Sequence, residues 1–208
     1  MDMQDMNVKA LAELTASDAP APGGGAIAAL SGAFGASLAA MVGSLTIEKK
    51  GYEGVQEAMA EMAAKGKDLA RRLLAAMDED ASSFNGYMAA LKLPKETEEE
   101  KSARRAAMQE ALKSAALVPF NTAKTAAEVF PLAEAAVRYG NKNAVTDGLV
   151  AAMMARTAVL GALLNVKINL ESIKDEAFVL KLKESCDALQ KDAIAAEQHI
   201  LDLVPSLK

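Results

Sequence analysis

The chain has 208 residues, a formal net charge of −5 and a pI near 5.1. Binding a polyanion needs a concentrated excess of Lys and Arg, so this acidic balance argues against nucleic acid as a partner. Hydrophobic residues make up 51% of the sequence and aromatic residues only 4%, and this alanine-rich mixture favours closely packed helices over sheet. We therefore predict a single all-α domain over residues 1–208, a multi-helical bundle.

Two residue types that often carry catalysis occur once each, as Cys186 and His199. The chain therefore lacks the parts for a Ser-His-Asp triad, a Cys-based metal site or an intrachain disulfide. Proton transfer would depend on carboxylates, Lys or Tyr. Cys186 shares a helical stripe with Leu182 and Leu189, which predicts a buried thiol, and His199 is assigned no role. No secretory signal pattern opens the chain, so we expect a cytoplasmic protein.

Helical periodicity predicts the elements in chain order. They are a short amphipathic helix over 6–16, a helix over 23–48 that carries no charge before Glu48, a long helix over 52–93, a helical region from 97 that Pro119 kinks or divides, a segment from Pro131 to Gly140, a buried helix after the 140–147 loop, and a last amphipathic helix over 174–204.

Several helix ends carry recognisable capping residues. Thr97 and Glu100 have the spacing of a capping box. Gly140 is expected to end its helix in a left-handed conformation, and Asn143 is a natural N-cap for the next helix. Ser172 and Asp175 are the expected capping pair of the last helix.

The segment DAPAPGGGAIAALSGAFGASLAAMVGSLTIEKK, residues 18–50, is long and apolar enough to suggest a membrane span. Its Ala, Gly and Ser content and missing aromatic belts argue against one, and no dinucleotide or P-loop motif is present. Two lines of small residues predict close helix packing instead: Gly25, Ala29, Ala33 and Ser37, and Gly35, Ala39 and Gly43. The glycines leave a bare helix N-terminus that a planar or anionic ligand could approach.

Asp80 falls on an otherwise apolar stripe between Met77 and Phe84. An ionised carboxylate removed from water needs a partner or a raised pKa. Two interpretations remain open, a core Asp paired with a cation such as Arg156, or a general acid or base in a cleft.

Charged residues also lie at the ends of the two most apolar helices. Asp147 falls in a first helical turn, where the dipole favours a negative charge, and the same placement leaves a polar loop and a carboxylate at the edge of a buried helix. Lys49 and Lys50 complement the C-terminal end of their helix or bind a carboxylate of a ligand.

Three segments together resemble a known family: PGGGAIAALSGAFGASLAAMVGSLTIEKKGYE, DEDASSFNGYMAALKLPKETEEEKSARRAAMQEA and GNKNAVTDGLVAAMMARTAVLGALLNVKINL. They are similar, in order and over nearly the whole chain, to the formimidoyltetrahydrofolate cyclodeaminase / methenyltetrahydrofolate cyclohydrolase family. The resemblance implies an all-helical homodimer that binds a tetrahydrofolate one-carbon derivative and needs no metal or further cofactor.

The same resemblance indicates where the substrate binds. The positions it matches are the loop glycines, an acidic pair before an aromatic residue and a Gly-Asn-x-Asn…Asp segment: Gly23, Gly24, Gly25, Asp78, Asp80, Asn141, Asn143 and Asp147. The catalytic candidates are Asp78, Asp80 and Asp147, and which one is the base stays open. Lys49, Lys50 and Arg104 are candidates for the folate glutamate tail, chosen for charge.

The length, close to that of a standalone cyclohydrolase, favours hydrolysis of 5,10-methenyltetrahydrofolate to 10-formyltetrahydrofolate. A cyclodeaminase that releases ammonia and a non-catalytic folate-binding helical protein are the alternatives. The last would be favoured if Asp80 and Asp147 proved to be paired in the core with no cavity beside them.

Overall fold

The computed structural model describes residues 2–207, apart from the side chain of Phe84, whose predicted place on the stripe beside Asp80 lies outside the described residues. Within that range the chain forms seven α-helices and four short 3-10 turns, with no β-strand, so the all-α prediction is confirmed. The helices are α1 (Val8–Thr15), α2 (Gly24–Ser44), α3 (Gln56–Leu91), α4 (Glu98–Ala127), α5 (Val129–Tyr139), α6 (Val145–Leu170) and α7 (Glu176–Asp202).

The antiparallel pair α2 and α6 forms the centre of the bundle. Gly32 lies against Ala158, and a Cβ added at Gly35 would stand 3.0 Å from the carbonyl oxygen of Ala151. Small residues therefore let the two helix backbones approach closely, as the spacing in the sequence predicted.

The other helices pack around this pair. On α3, Gly66 lies against the backbone of Ala36, so α3 also runs antiparallel to α2. On the outer side of α6, Arg156 forms an ion pair with Glu197 of α7 at 3.1 Å. Arg156 is thus engaged away from Asp80, and the core Asp–Arg interpretation is wrong.

Among the described residues, two helices are long and apolar enough to cross a membrane by length and composition, α2 and the stretch 142–170. Their most apolar windows are 61% and 50% buried inside the bundle. Core helices give the same pattern, and here these two helices are the core.

Several helix ends agree with the sequence. Thr97 and Glu100 form the predicted capping box at α4. Asp175 caps α7 by accepting the Phe178 N–H at 3.1 Å, without help from Ser172. Pro119 does not divide α4, which continues through it as one helix.

Two predictions about the α5–α6 connection are wrong. Gly140 is extended, with φ −74°, and not left-handed. A glycine is needed there for space, because a Cβ would overlap the Ala136 carbonyl oxygen and the Val42 side chain. Asn143 is not the N-cap of α6; Asn141 caps a short 3-10 turn (Lys142–Ala144) that precedes the helix.

Candidate functional site

One cavity of about 430 Å³ lies where the N-terminus of α2 meets α3 and the C-terminal end of α6. Its polar lining comes mainly from Asp80 and Tyr87 on α3 and Asn165 and Asn169 on α6, with Gly23 at the helix start. Pro20, Ala21, Ala81, Ser83, Leu112, Ala115, Ile168 and Ser172 complete the wall. We call this space the α2–α6 cavity.

A second cavity, of about 480 Å³, lies under α1. Its wall is mostly apolar and includes Leu11, Leu30, Phe34 and Met77, and no titratable side chain lines it. A site for proton transfer needs such a group, and the α2–α6 cavity has one in the half-buried Asp80, so this cavity is the candidate for chemistry.

The three glycines bring the start of α2 against the cavity residues. Gly23 is the N-cap and lines the space, and a Cβ added at Gly24 would stand 3.5 Å from Asn165 Nδ2. A Cβ at Gly25 would overlap the carboxylate of Asp80. Gly25 is therefore the residue that lets Asp80 lie directly on the helix N-terminus.

Asp80 has the environment of a general acid or base. Burial raises the pKa of its carboxyl group, because an ionised carboxylate loses hydration there, and a hydrogen bond from the Ala26 N–H partly opposes that rise. Within residues 2–207, no Lys, Arg or His forms an ion pair with Asp80. A half-buried, unpaired carboxylate beside a cavity is available to exchange a proton with a ligand.

Asp78 is not brought to this cavity. Two residues along a helix turn the side chain by about 200°, so Asp78 and Asp80 point away from one another. Asp78 Oδ1 accepts the Met3 N–H at 2.8 Å and fastens the turn Met3–Asp5 to α3. Of the two aspartates in the acidic pair, Asp80 therefore lines the cavity, whereas Asp78 attaches the N-terminal turn to α3.

Asn141 and Asn143 lie at the opposite end of α2. The Asn141 N–H donates to Thr46 Oγ1 at 2.9 Å, and its Oδ1 accepts the Asn143 N–H at 3.1 Å. Lys49 and Lys50 follow α2 in the same region, where the Lys49 N–H donates to the Thr46 carbonyl oxygen at 3.3 Å. None of these four predicted residues lines the α2–α6 cavity.

Asp147 is also at that far end, in the first turn of α6 as predicted. Asn165, which lines the cavity, lies about five helical turns further along, roughly 27 Å. Asp80 and Asp147 of one chain therefore cannot act on the same atom of one substrate. The structure therefore brings Asp80 to the α2–α6 cavity and leaves Asp147 at the other end of the same chain.

Arg104 has a local partner. Its Nε and Nη2 donate to the Leu91 carbonyl oxygen at 3.1 and 3.0 Å, which closes the C-terminal end of α3. The guanidinium thus joins α3 to α4. It does not line the cavity, so the structure gives no support to a contact with a glutamate tail there.

Sequence analysis missed Tyr87, Asn165 and Asn169. Tyr87 lies at a position of α3 where helical periodicity predicts an apolar residue, so the sequence pattern alone gives it no polar role. Asn165 and Asn169 stand four residues apart, and so on one face, in the mostly apolar final stretch VLGALLNVKINL of α6, which also contains Lys167. That spacing was the signal that could have identified them.

Comparisons with known proteins agree with this architecture. The family model "Formiminotransferase-cyclodeaminase" matches residues 7–188. A methenyltetrahydrofolate cyclohydrolase from Methylorubrum extorquens is 40% identical over 191 residues, which cover 92% of each chain. A formimidoyltransferase-cyclodeaminase from Sus scrofa is 36% identical, but this chain spans only 34% of its length.

A crystal structure of formiminotetrahydrofolate cyclodeaminase from Thermotoga maritima superimposes with a TM-score of 0.88 at 28% identity, covering 98% of both chains. The fold is thus that of the all-α cyclodeaminases. With the match over residues 7–188, the chain belongs to the formiminotransferase-cyclodeaminase family.

Proposed function

We propose that this protein is a methenyltetrahydrofolate cyclohydrolase, which hydrolyses 5,10-methenyltetrahydrofolate to 10-formyltetrahydrofolate in one-carbon metabolism. The observation that carries the proposal is the unpaired, half-buried Asp80 at the α2–α6 cavity. Support comes from the 40% identity to a cyclohydrolase over 92% of both lengths.

The substrate suits a site built around one carboxylate. The methenyl carbon lies between N5 and N10 in an amidinium-like cation, so it is already electrophilic. Attack by water therefore needs a base and stabilisation of charge. We propose that the protein supplies both and that the reaction requires no metal and no cofactor other than the folate substrate. In the first step Asp80 accepts a proton from water while the oxygen bonds to the methenyl carbon.

The second step breaks one C–N bond of the neutral adduct. Asp80 returns its proton to N5 as the C–N5 bond cleaves, and the hydroxyl group loses its proton to solvent as the formyl C=O forms. The products are 10-formyltetrahydrofolate and one released proton. A raised pKa fits Asp80 for both roles, because the carboxyl group must accept and then donate near neutral pH.

The assay follows the loss of methenyltetrahydrofolate absorbance in a buffer in which spontaneous hydrolysis is slow. Ammonia release from formimidoyltetrahydrofolate is measured in parallel. We expect clear acceleration of the first reaction by the wild-type protein. If the protein accelerates neither reaction, the proposal that it is an enzyme is contradicted, and a non-catalytic folate-binding protein is the remaining alternative.

Cyclodeaminase activity is the second candidate, favoured by the 0.88 TM-score to a cyclodeaminase. In that reaction N10 attacks the formimidoyl carbon and the departing amine takes a proton. Asp80 could supply that proton in the same cavity. Ammonia release that exceeds methenyl hydrolysis would make this the principal activity.

We further propose that the protein works as a soluble cytoplasmic homodimer. Both central helices leave apolar side chains exposed, among them Phe34 and Met41, two helical turns apart on α2, and Met153, Leu164 and Ile168 on α6. α2 contains no charged residue. A face two helices wide and about 30 Å long offers on the order of 600 Å². Standard interfaces bury about 600–1,000 Å² per partner, so a second copy on this face would form an interface at the lower end of that range.

Sedimentation equilibrium at micromolar concentration tests the dimer. Leu164→Lys should convert the protein to monomers, because it places a charge in an apolar interface. Leu164 is 68% exposed and Leu180, on α7, is 60% exposed, so Leu180→Lys is the matched control and should remain dimeric. A wild-type protein that sediments only as a monomer would contradict the proposal.

A further inference from the structure

Two asparagine side chains in the α2–α6 cavity have fixed orientations that the proposed reaction has not yet used. Asn169 Nδ2 donates to the carbonyl oxygens of Ala115 and Asn165, both at 2.9 Å. Both hydrogens of this amide are therefore engaged. Because carbonyl oxygens only accept, the orientation of the amide is determined and Oδ1 points the other way.

Pro119 explains why the Ala115 carbonyl oxygen is available. In a regular helix that oxygen would accept the N–H four residues later, but Pro119 has no N–H. Asn169 supplies the missing donor from the neighbouring helix. The proline in α4 thus sets the orientation of a side chain in the cavity.

Asn165 is held in a similar way. Its Nδ2 donates to the Gly161 carbonyl oxygen at 2.9 Å, one turn earlier in α6. No donor among residues 2–207 reaches Oδ1 of Asn165 or Asn169, and neither oxygen is enclosed away from solvent. Both residues line the cavity, so two hydrogen-bond acceptors remain there for a ligand.

The remainder of the cavity has the same electrostatic character. No Lys, Arg or His is among its lining residues, and Asp80 is the one charged side chain among them. Asn165 and Asn169 also belong to the last two turns of α6, where the helix dipole is negative. The positive N-terminal end of α2 also meets this cavity, but there the Asp80 carboxylate lies against Gly25 and accepts the Ala26 N–H. With that helix end engaged, the cavity favours a cationic group over a carboxylate tail.

We propose that Asn165 and Asn169 are specificity-determining residues whose Oδ1 atoms recognise the positive charge of the N5–C–N10 amidinium. They favour the cationic methenyl substrate over folates whose ring is neutral at those atoms. This inference rests on the proposed function and deepens it by assigning the part of the substrate that enters the cavity.

The test compares two ligands that share the pterin, the aminobenzoate and the tail. The Michaelis constant is measured for 5,10-methenyltetrahydrofolate, and the inhibition constant for 5-formyltetrahydrofolate, which lacks the cation. For Asn165→Leu and Asn169→Leu we expect the Michaelis constant to rise about tenfold each, because both amidinium nitrogens are fully substituted and each substitution removes a carbonyl dipole that faces the cation in a partly desolvated cavity. The inhibition constant should change less than threefold.

Asn121→Leu is the matched control, because Asn121 is exposed on α4 away from the cavity. Pro119→Ala is a second probe that leaves both asparagines in place. The new N–H at position 119 would compete for the Ala115 carbonyl oxygen and release Asn169, so the Michaelis constant should rise by a smaller factor with little change in the inhibition constant.

An equal rise for both ligands would mean that the asparagines only maintain the cavity, and no change for either would remove them from recognition; both results overturn the inference. A wild-type protein without hydrolytic activity would instead overturn the proposed function. The two ligands would then be compared by direct titration, where loss of the preference for the cation in the Leu variants remains the expected result.

Discussion

The two ends of the α2–α6 pair carry similar residues in the sequence but differ in how their polar groups are satisfied. At one end, Asp80, Asn165 and Asn169 present oxygens to a cavity. At the other end, Thr46 Oγ1 donates to the Val42 carbonyl oxygen at 2.6 Å and accepts the Asn141 N–H at 2.9 Å. At the first end these polar atoms face a cavity, whereas at the second the hydrogen bonds of Thr46 join the end of α2 to the α5–α6 connection.

This difference shows why residue type alone does not locate a site. Asparagine, aspartate and glycine are suited equally to capping a helix and to contacting a substrate. The distinguishing property is a polar atom that the fold leaves without a partner beside an accessible space.

The largest effect is expected from Asp80→Asn. Removing the group that accepts and returns the proton should lower kcat by at least about 100-fold. The loss of methenyltetrahydrofolate absorbance measures it. Asp68→Asn on the same helix is the control, since Asp68 forms only exposed ion pairs with Arg71 and Arg72. Turnover near wild type for Asp80→Asn would place the chemistry elsewhere.

The same variant has a stability signature. Because the Asp80 pKa is raised in the folded protein, folding favours the protonated form, and stability falls as pH rises from the ordinary carboxyl range through the raised pKa. The amide that replaces the carboxyl group in Asp80→Asn cannot ionise. The melting temperature of the variant relative to wild type should therefore be higher at pH 7 than at pH 4.

Gly25→Ala should produce the next largest effect. The new Cβ would overlap the carboxylate of Asp80, which is the mobile end of a side chain and can move aside. We expect kcat to fall about tenfold through misplacement of the acid–base group, with little loss of helical circular dichroism. Gly86→Ala, where the added Cβ meets nothing within 4 Å, is the control and should keep full turnover.

Thr46→Val tests the hydrogen bonds that join the C-terminal end of α2 to the α5–α6 connection. Thr46 is fully buried, and valine would leave the Asn141 N–H without its acceptor. We expect a loss of about 1–3 kcal/mol in the free energy of unfolding, measured in urea, with turnover per folded molecule retained. Thr15→Val at the exposed end of α1 should cost less. A large loss of turnover at constant stability would give this end a role in catalysis.

Asp147→Asn should have the smallest effect. Its carboxylate lies roughly 27 Å along α6 from the cavity of its own chain. Turnover is expected within about threefold of wild type, because a helix-end charge contributes only about 0.3–1 kcal/mol. A 100-fold loss would mean that this end serves the cavity of a second copy, and mixing the variant with Asp80→Asn protein should then restore activity.

The sequence predicted the helices well where local chemistry governs them. The Thr97–Glu100 capping box, the close packing of Gly35 and the buried Cys186, whose pKa burial raises to about 11, follow from neighbouring residues or helical spacing. The tight space around Gly140 did not, because part of it is filled by Val42, which is distant in the sequence.

The features of the candidate site likewise separate into those that the sequence predicted and those that only the tertiary structure revealed. Sequence by itself determined the all-α class, the family resemblance and the presence of an isolated carboxylate on an apolar stripe. Only the tertiary structure decided that Asp80 meets the start of α2 through Gly25, that Asp78 binds Met3 instead, and that Pro119 directs Asn169. The physical reason is that each of these contacts joins helices far apart in the chain, and helical periodicity specifies a face but not its partner.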